Sequence, residues 1–169
     1  MIKSIIYLKQ YISKTIFTFF IKKKAASVGE GLIVNHYSSV TLNTHLGNNV
    51  NFNGLRVIGG GNVHIGNNFH SATGCLIMTT IHNYDNGAKI PYDETVIHKD
   101  VIIEDNVWLG LNVVILPGVT VSEGAIIQAG SIVSSNVPPC AIVGGNPARV
   151  FSLRDKDHYY NLKEKKQFH

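Results

Sequence analysis

A period of six residues governs most of this 169-residue chain. An aliphatic side chain recurs at every sixth position through the second half, at Ile97, Ile103, Leu109, Ile115, Val121, Ile127 and Val133. The residue four places after each of these is small or β-branched: Val101, Val107, Val113, Val119, Ala125, Ser131 and Val137. An α-helix repeats its apolar face every three to four residues and an ordinary strand alternates in twos, so neither explains the period.

A coil with three short faces, about 18 residues per turn, does explain it. Each aliphatic side chain then points into a triangular prism, and residues one turn apart stack, so that Ile97 lies on Ile115 and Ile115 on Val133. Parallel strands stack about 4.8 Å apart, so about five coils give a prism about 25 Å tall. The period therefore predicts an all-β fold, a parallel β-helix.

The first half of the chain follows the same frame, and the frame has one long interruption. Its inward positions there are Val28, Val34, Val40, Leu46, Phe52 and Ile58, followed by Ile65, Ser71 and Ile77 after an extra residue near Gly59–Gly61. Between Ile77 and Ile97 the frame breaks, and residues 83–96 are predicted to leave the prism as a loop. A regular solenoid that extrudes one polar loop usually does so for function, although a tolerated surface insertion is the alternative.

Charge is concentrated at the two ends of the chain. Residues 1–24 hold six lysines and no acidic residue, and residues 149–169 hold six Lys/Arg against three acidic residues. The part between them holds three basic and eight acidic residues, which argues against a body that binds nucleic acid. Cys75 and Cys140 are too few for a disulfide framework and form no C-x-x-C motif.

The amino-terminal residues have the pattern of an amphipathic helix. One broad face would carry Ile2, Ile5, Ile6, Ile12, Ile16, Phe17 and Phe20. Lys9 and Lys14 disfavour a transmembrane span, since each costs about 2.5–3.5 kcal/mol near the centre of a bilayer. Two interpretations stay open: the helix covers an end of the β-helix, or residues 2–24 make peripheral contact with anionic lipid through their lysines. Either one predicts a cytoplasmic protein.

These patterns divide the chain into three parts. Residues 1–24 form the amphipathic helix, residues 25–147 the β-helix with its extruded loop, and residues 148–169 a basic carboxyl-terminal tail with a short helix.

Four segments resemble the hexapeptide-repeat acyltransferases, particularly the maltose, galactoside and xenobiotic acetyltransferase group. They are TTIHNYD (79–85), DNVWLGLNVVILPGVTV (105–121), AIIQAGSIVSSNVPP (125–139) and GGNPARV (144–150). The resemblance implies a left-handed coil and a homotrimer with active sites between neighbouring subunits. It also implies acetyl transfer from acetyl-coenzyme A to a hydroxyl of a sugar or polysaccharide precursor. A free sugar or a small xenobiotic is the alternative acceptor.

In this family a histidine at the root of the extruded loop acts as general base, and His82 matches it. Imidazole suits the task because its ordinary pKa is near 6.5, and direct attack on the thioester needs no covalent enzyme intermediate. His98 is a candidate to line the site. Asp85, Asp93 and Glu94 are candidates to orient the imidazole or to bind the acceptor, with a solvated loop face as the alternative. The other histidines are interpreted as surface or structural residues: His36, His45, His64, His70, His158 and His169.

The resemblance also assigns a coenzyme site. Leu111 and Ala129, one turn apart, match positions that line the pantetheine arm, with Gly110 beside them leaving room for the ligand. Trp108 matches a tryptophan that walls the same channel, although a cap on an exposed corner explains it equally. Arg149 matches a basic residue that meets the coenzyme phosphates. Where relatives often have Thr-Lys near the nucleotide, this chain has Ser134 and Ser135.

Two other functions are less well supported. A metal-dependent hydratase like the gamma-type carbonic anhydrases needs three histidines that converge on zinc, and the six-spaced pair His64 and His70 straddles the register shift. No metal is therefore expected. A non-catalytic prism would not need His82 together with the series from Trp108 to Arg149.

Overall fold

A computed structural model describes the backbone of residues 2–169 and the side chains of residues 11–169. The helices in this range are α1 (Ile2–Lys24) and α2 (Lys156–Glu164). The strands, in chain order, are β1 (Ser27–Val28), β2 (Ile33–His36), β3 (Thr44–Leu46), β4 (Asn51–Asn53), β5 (Arg56–Ile58), β6 (Val63–Ile65), β7 (His70–Ser71), β8 (Leu76–Met78), β9 (Thr80–His82), β10 (Val96–His98), β11 (Val101–Ile103), β12 (Trp108–Leu109), β13 (Val114–Ile115), β14 (Thr120–Val121), β15 (Ile126–Ile127), β16 (Ile132–Val133), β17 (Ala141–Gly145) and β18 (Ala148–Leu153).

Three parallel sheets form the faces of a prism. The first face is β1-β3-β6-β11-β14, the second is β2-β4-β7-β12-β15-β17, and the third is β5-β8-β13-β16. The chain visits the faces in turn, and each strand pairs with the strand one coil away, for example β13 with β8 and β16. The predicted parallel β-helix is confirmed, with about six turns. Its last strand, β18, runs antiparallel to β17.

The predicted inward column forms the core of the prism. Ile103, Leu109, Ile115, Val121 and Ile127 are each at most 1% exposed. Apolar burial contributes about 25 cal/mol per Å² removed from water, so a stacked aliphatic column is what stabilises coils with so few residues per strand. Each coil supplies one residue to each column, and this stacking therefore produces the six-residue repeat seen in the sequence.

One member of the predicted column lies elsewhere. Ile97 pairs with Ile81 across the antiparallel strands β9 and β10, and Ile77 takes the place next to Ile115. The extruded segment is therefore a hairpin that includes β9 and β10, and residues 83–95 form its outer part, since Val96 already belongs to β10. The error has a simple cause: Ile97 fits the period of six by coincidence, while its neighbours alternate in twos as a hairpin strand does.

A second prediction was wrong at β5. Val57 points inward and is 3% exposed, whereas Ile58 is 36% exposed. The inward-facing residue of β5 therefore comes one position earlier than the period predicts. The glycine-rich segment that follows contains the compensating extra residue. Gly59 has φ of 107°, and a Cβ there would lie 2.4 Å from the Thr79 hydroxyl oxygen, so glycine is required.

Both helices pack against the prism. The carboxyl-terminal half of α1 lies along β2, where Ile21 is buried and Thr18 Oγ1 accepts a hydrogen bond of 3.1 Å from the Val34 amide. At the other end, Asp155 caps α2 by accepting from the His158 amide at 3.0 Å. Within residues 2–169, neither helix has the length and apolar character needed to span a bilayer.

Candidate active site

His82 stands at the root of the hairpin, on its exposed surface. It is the last residue of β9, and its backbone pairs with Val96 of β10. Its imidazole stacks on the ring of Tyr92, with centroids 3.9 Å apart and planes 14° from parallel. Neither ring nitrogen has a hydrogen-bond partner among the described residues. The stack thus fixes the ring while leaving both nitrogens available to accept or donate a proton.

A second histidine occupies the same side of the hairpin. His98 pairs with Thr80, and strand alternation places both on the side of the hairpin that carries His82. The Thr80 hydroxyl lies 2.9 Å from His98 Nδ1. The imidazole of His98 also covers Gly60, where a Cβ would come within 2.6 Å of the ring. His98 is therefore held against the prism, whereas the imidazole of His82 stacks on Tyr92 of the hairpin tip.

The three acidic candidates of the loop differ in their surroundings. Asp93 accepts hydrogen bonds from the Ala88 and Thr95 amides at 3.0 and 2.9 Å, and these bonds hold the pKa of its carboxyl below the usual range. Glu94 pairs with Lys89, which lowers the pKa of that carboxyl as well. Asp85 is exposed and has no hydrogen bond within the described part of the chain. Asp93 therefore shapes the loop, and a role in acceptor binding stays a prediction for all three.

Gly110, Leu111 and Ala129 come together where the second face meets the third, here called the Leu111 corner. The Gly130 amide donates to the Leu111 carbonyl at 2.7 Å, which locks the two coils together. A Cβ on Gly110 would lie 2.6 Å from the Ala129 nitrogen, so this close approach requires glycine. Leu111 is 49% exposed and Ala129 is exposed, which leaves an accessible strip along the corner.

The other predicted coenzyme residues lie apart from this corner. Trp108 is 48% exposed on the second face, between His70 and Ile126 of the adjacent coils. Ser134 and Ser135 are exposed at the corner between the third and first faces, here called the hairpin corner because the hairpin also leaves the prism there.

Arg149 belongs to β18, the antiparallel strand at the end of the second face. It is exposed, and its Nη1 donates to the Ala148 carbonyl at 2.9 Å. Its guanidinium therefore has further donors free for a ligand, within the interactions of the described residues.

A cavity of about 420 Å³ lies between the second face and the carboxyl-terminal segment, and sequence reasoning missed it. Trp108 and His70 line one wall, and Phe168 and His169 line the other. The His70 and His169 rings are 5.8 Å apart; burial lowers the pKa of His70, and the nearby His169 lowers it further. The repeat gives no signal for this cavity because the segment that closes it lies outside the repeat.

Glu123 anchors that closing segment to the prism. Tyr159 of α2 donates to Glu123 Oε1 at 2.9 Å, and Lys163 pairs with the same carboxylate. Burial opposes ionisation of Glu123, but the hydrogen bonds from Lys163 and Tyr159 outweigh it and hold the pKa of the carboxyl below its usual range. Burial and the same carboxylate raise the pKa of the Tyr159 hydroxyl.

The geometry offers no obvious cation site. Across the described residues, no group of three or more His, Cys, Asp or Glu side chains lies close enough to hold a metal ion. The chemistry available at the hairpin is proton transfer by an exposed imidazole.

Comparison with known proteins agrees with this fold. The family model described as "Hexapeptide repeat of succinyl-transferase" matches residues 100–135. Galactoside O-acetyltransferase from Escherichia coli (strain K12) is 35% identical over 151 residues, which cover 86% of this chain and 73% of that protein.

Solved structures give the same result. A galactoside acetyltransferase in complex with coenzyme A has a TM-score of 0.70 and 34% identity, covering 83% of this chain and 71% of that one. A hexapeptide-repeat acetyltransferase from Vibrio cholerae, complexed with acetyl-coenzyme A, has a TM-score of 0.64 and 27% identity, covering 78% of this chain and 73% of that one.

Fold and relatives together define an acyltransferase built on a β-helix. The chain belongs to the hexapeptide-repeat acetyltransferase family.

Proposed function

We propose that this protein transfers an acetyl group from acetyl-coenzyme A to a hydroxyl of a sugar or polysaccharide precursor, with His82 as general base. The observation that carries the proposal is the hairpin root. It holds an exposed imidazole that stacks on Tyr92, with no hydrogen bond to either ring nitrogen from the described residues, in a chain 35% identical to a galactoside O-acetyltransferase. A structural neighbour that binds acetyl-coenzyme A supports the donor.

The reaction needs one proton carrier and good alignment. A ring nitrogen of His82 accepts the proton of the acceptor hydroxyl as that oxygen attacks the thioester carbonyl carbon. The resulting tetrahedral intermediate expels the coenzyme thiolate, and the imidazolium returns its proton to the sulfur. The products are an acetyl ester and free coenzyme A, and no bond to the enzyme forms. Because a thioester is already activated, alignment of the two substrates supplies much of the acceleration.

The coenzyme is proposed to lie along the Leu111 corner. The exposed strip there offers backbone groups to the pantetheine amides, and Trp108, exposed on the adjoining second face, is proposed to wall the channel. Arg149 is proposed to bind phosphate oxygens through its free guanidinium donors. Ser134 and Ser135 are proposed to lie near the nucleotide, and Asp85, Asp93 and Glu94 near the acceptor.

The distribution of these groups supports a proposed homotrimer. His82 leaves the prism at the hairpin corner, while Leu111 and Ala129 lie at a different corner of the same prism. Three prisms packed about a threefold axis bring unlike corners together, which would complete each active site between neighbours.

Calorimetric titration of acetyl-coenzyme A into the protein tests the donor site. Saturable binding near one ligand per chain is expected, after which release of free thiol is followed with sugars and glycan fragments as acceptors. If acetyl-coenzyme A does not bind at millimolar concentration, the proposed function is wrong.

The variant Arg149→Ala is expected to weaken acetyl-coenzyme A binding by about 1.5–3 kcal/mol, which corresponds to about 10- to 150-fold in Kd. The reason is the loss of charge-assisted hydrogen bonds to phosphate. Arg56→Ala is the matched control, since Arg56 is an exposed strand arginine on another face. Equal Kd values for both variants would place the phosphate site elsewhere.

Tyr92 is proposed as a positioning residue for His82. Tyr92→Leu removes the stacked ring and is expected to lower kcat by about tenfold with little change in the Kd of acetyl-coenzyme A, because a looser imidazole is less often aligned. Tyr92→Phe keeps the stack and should restore kcat, whereas Tyr84→Leu alters another exposed tyrosine of the loop and should have little effect. Loss of activity in Tyr92→Phe would show that the hydroxyl acts, rather than the ring.

A further inference from the structure

We infer that the exposed side of α1 binds the surface of an anionic lipid bilayer. This lipid-facing surface consists of Tyr11, Ile12, Ile16, Phe19 and Phe20. The helix can then pack on the β-helix and contact lipid at the same time, because different sides of α1 make the two contacts.

The two sides of α1 differ in their surroundings. The five residues of the lipid-facing surface are 69%, 48%, 46%, 55% and 62% exposed, in chain order. At 100° per residue they span about half of the helix circumference. Phe17 and Ile21 lie on the other half and pack against the core of the prism. Packing on the prism therefore fixes the rotation of α1 and leaves these five apolar side chains in water, with the exposed Thr15, Lys22 and Lys23 on the same half of the helix.

An exposed aromatic side chain of the prism also lies beside α1. The Phe17 ring contacts Tyr37 edge to face, with centroids 6.3 Å apart, and Tyr37 itself is 69% exposed on the first coil. Contiguous exposed apolar surface of this kind marks a site of interaction with a protein or a membrane, rather than an ordinary solvated surface.

Charge identifies the partner as anionic lipid. Lys22, Lys23 and Lys24 form the last turn of α1 and are exposed, and residues 1–24 contain six lysines with no acidic residue. Each basic residue near an anionic bilayer contributes about 1 kcal/mol of attraction. A two-fold contact between copies of this surface would instead bring lysines of like charge together. Aromatic and aliphatic side chains bordered by lysines are the composition of helices that lie in the membrane interface.

Co-sedimentation of the full-length protein with vesicles tests the inference. Vesicles with about one third phosphatidylglycerol in phosphatidylcholine should pellet the protein at low salt, and pure phosphatidylcholine vesicles should pellet much less. The double variant Phe19→Ser/Phe20→Ser should lower the apparent partition coefficient at least about tenfold, because less apolar surface enters the interface. Leu153→Ser/Tyr160→Ser, which changes two exposed apolar residues at the other end of the prism, should bind as the unaltered protein does.

A second measurement distinguishes lipid from protein as the occupant. Light scattering without lipid should give the same mass for both double variants and the unaltered protein. If Phe19→Ser/Phe20→Ser lowers the mass, or pellets with anionic vesicles as well as the control variant does, the inference is wrong. Circular dichroism melts check that both variants remain folded. Vesicle binding is measured without substrate, so its outcome is independent of acetyl transfer.

Discussion

Replacing His82 with alanine is expected to lower kcat for acetyl transfer by about 10²- to 10⁴-fold, which is the rate enhancement that a positioned general base usually contributes. The Kd of acetyl-coenzyme A should stay within about twofold, since the proposed base acts on the acceptor hydroxyl and not on donor binding. The measurement is release of coenzyme thiol in the presence of an acceptor found by screening, together with calorimetry of the donor.

His158→Ala provides the matched control for this variant. His158 is an exposed histidine of α2, so its replacement removes the same imidazole from a surface with no proposed role. Turnover near that of the unaltered protein in His82→Ala would contradict the base assignment. In that case His98, which lies on the same side of the hairpin, is the next histidine to replace.

The interior of the prism is the part of the fold that a sequence predicts best. Stacking places one side chain per coil in each column, so the three-dimensional contact has a short and regular period along the chain. The predictions of inward-facing residues are wrong at Ile58 and at Ile97, where the six-residue period no longer corresponds to the stacking of coils. At Ile58 a glycine-rich corner changes the residue count between inward positions, and at Ile97 a hairpin residue satisfies the period without joining a column.

The candidate site was less predictable, for a physical reason. The break in the period indicates where a hairpin leaves the prism, and His82 lies at that place. The period does not indicate that the hairpin folds Tyr92 back onto His82, because that contact depends on the path of an irregular loop. Nor does it indicate the cavity beside Trp108, which is closed by a carboxyl-terminal segment held through Glu123.

The arrangement of the corners has a consequence for catalysis. Strand order places the hairpin after β8, between the third and first faces, and places Leu111 and Ala129 between the second and third faces. A single chain therefore presents its base and its proposed donor strip on different edges of the prism. If transfer occurs as proposed, the base of one chain must act on coenzyme held by its neighbour.

Two inactive variants of this protein should therefore restore activity to each other when they assemble together. Ala129→Trp fills the exposed strip at the Leu111 corner and should abolish donor binding, while His82→Ala removes the base but keeps the strip. Either variant alone should be nearly inactive, and circular dichroism checks that each is folded. They are co-expressed with different affinity tags so that mixed assemblies can be isolated.

In a random mixture of equal amounts, half of the chains supply an intact base and half supply an intact strip. About one quarter of all interfaces then combine both, and isolating the mixed trimers raises this to one of the three interfaces in each trimer, so about one third of the unaltered activity is expected. A site contained within one chain gives a different result, because every chain in the mixture carries one defect and no recovery is possible. Recovered activity in the mixed assemblies would thus establish that the hairpin corner of one prism meets the Leu111 corner of the next.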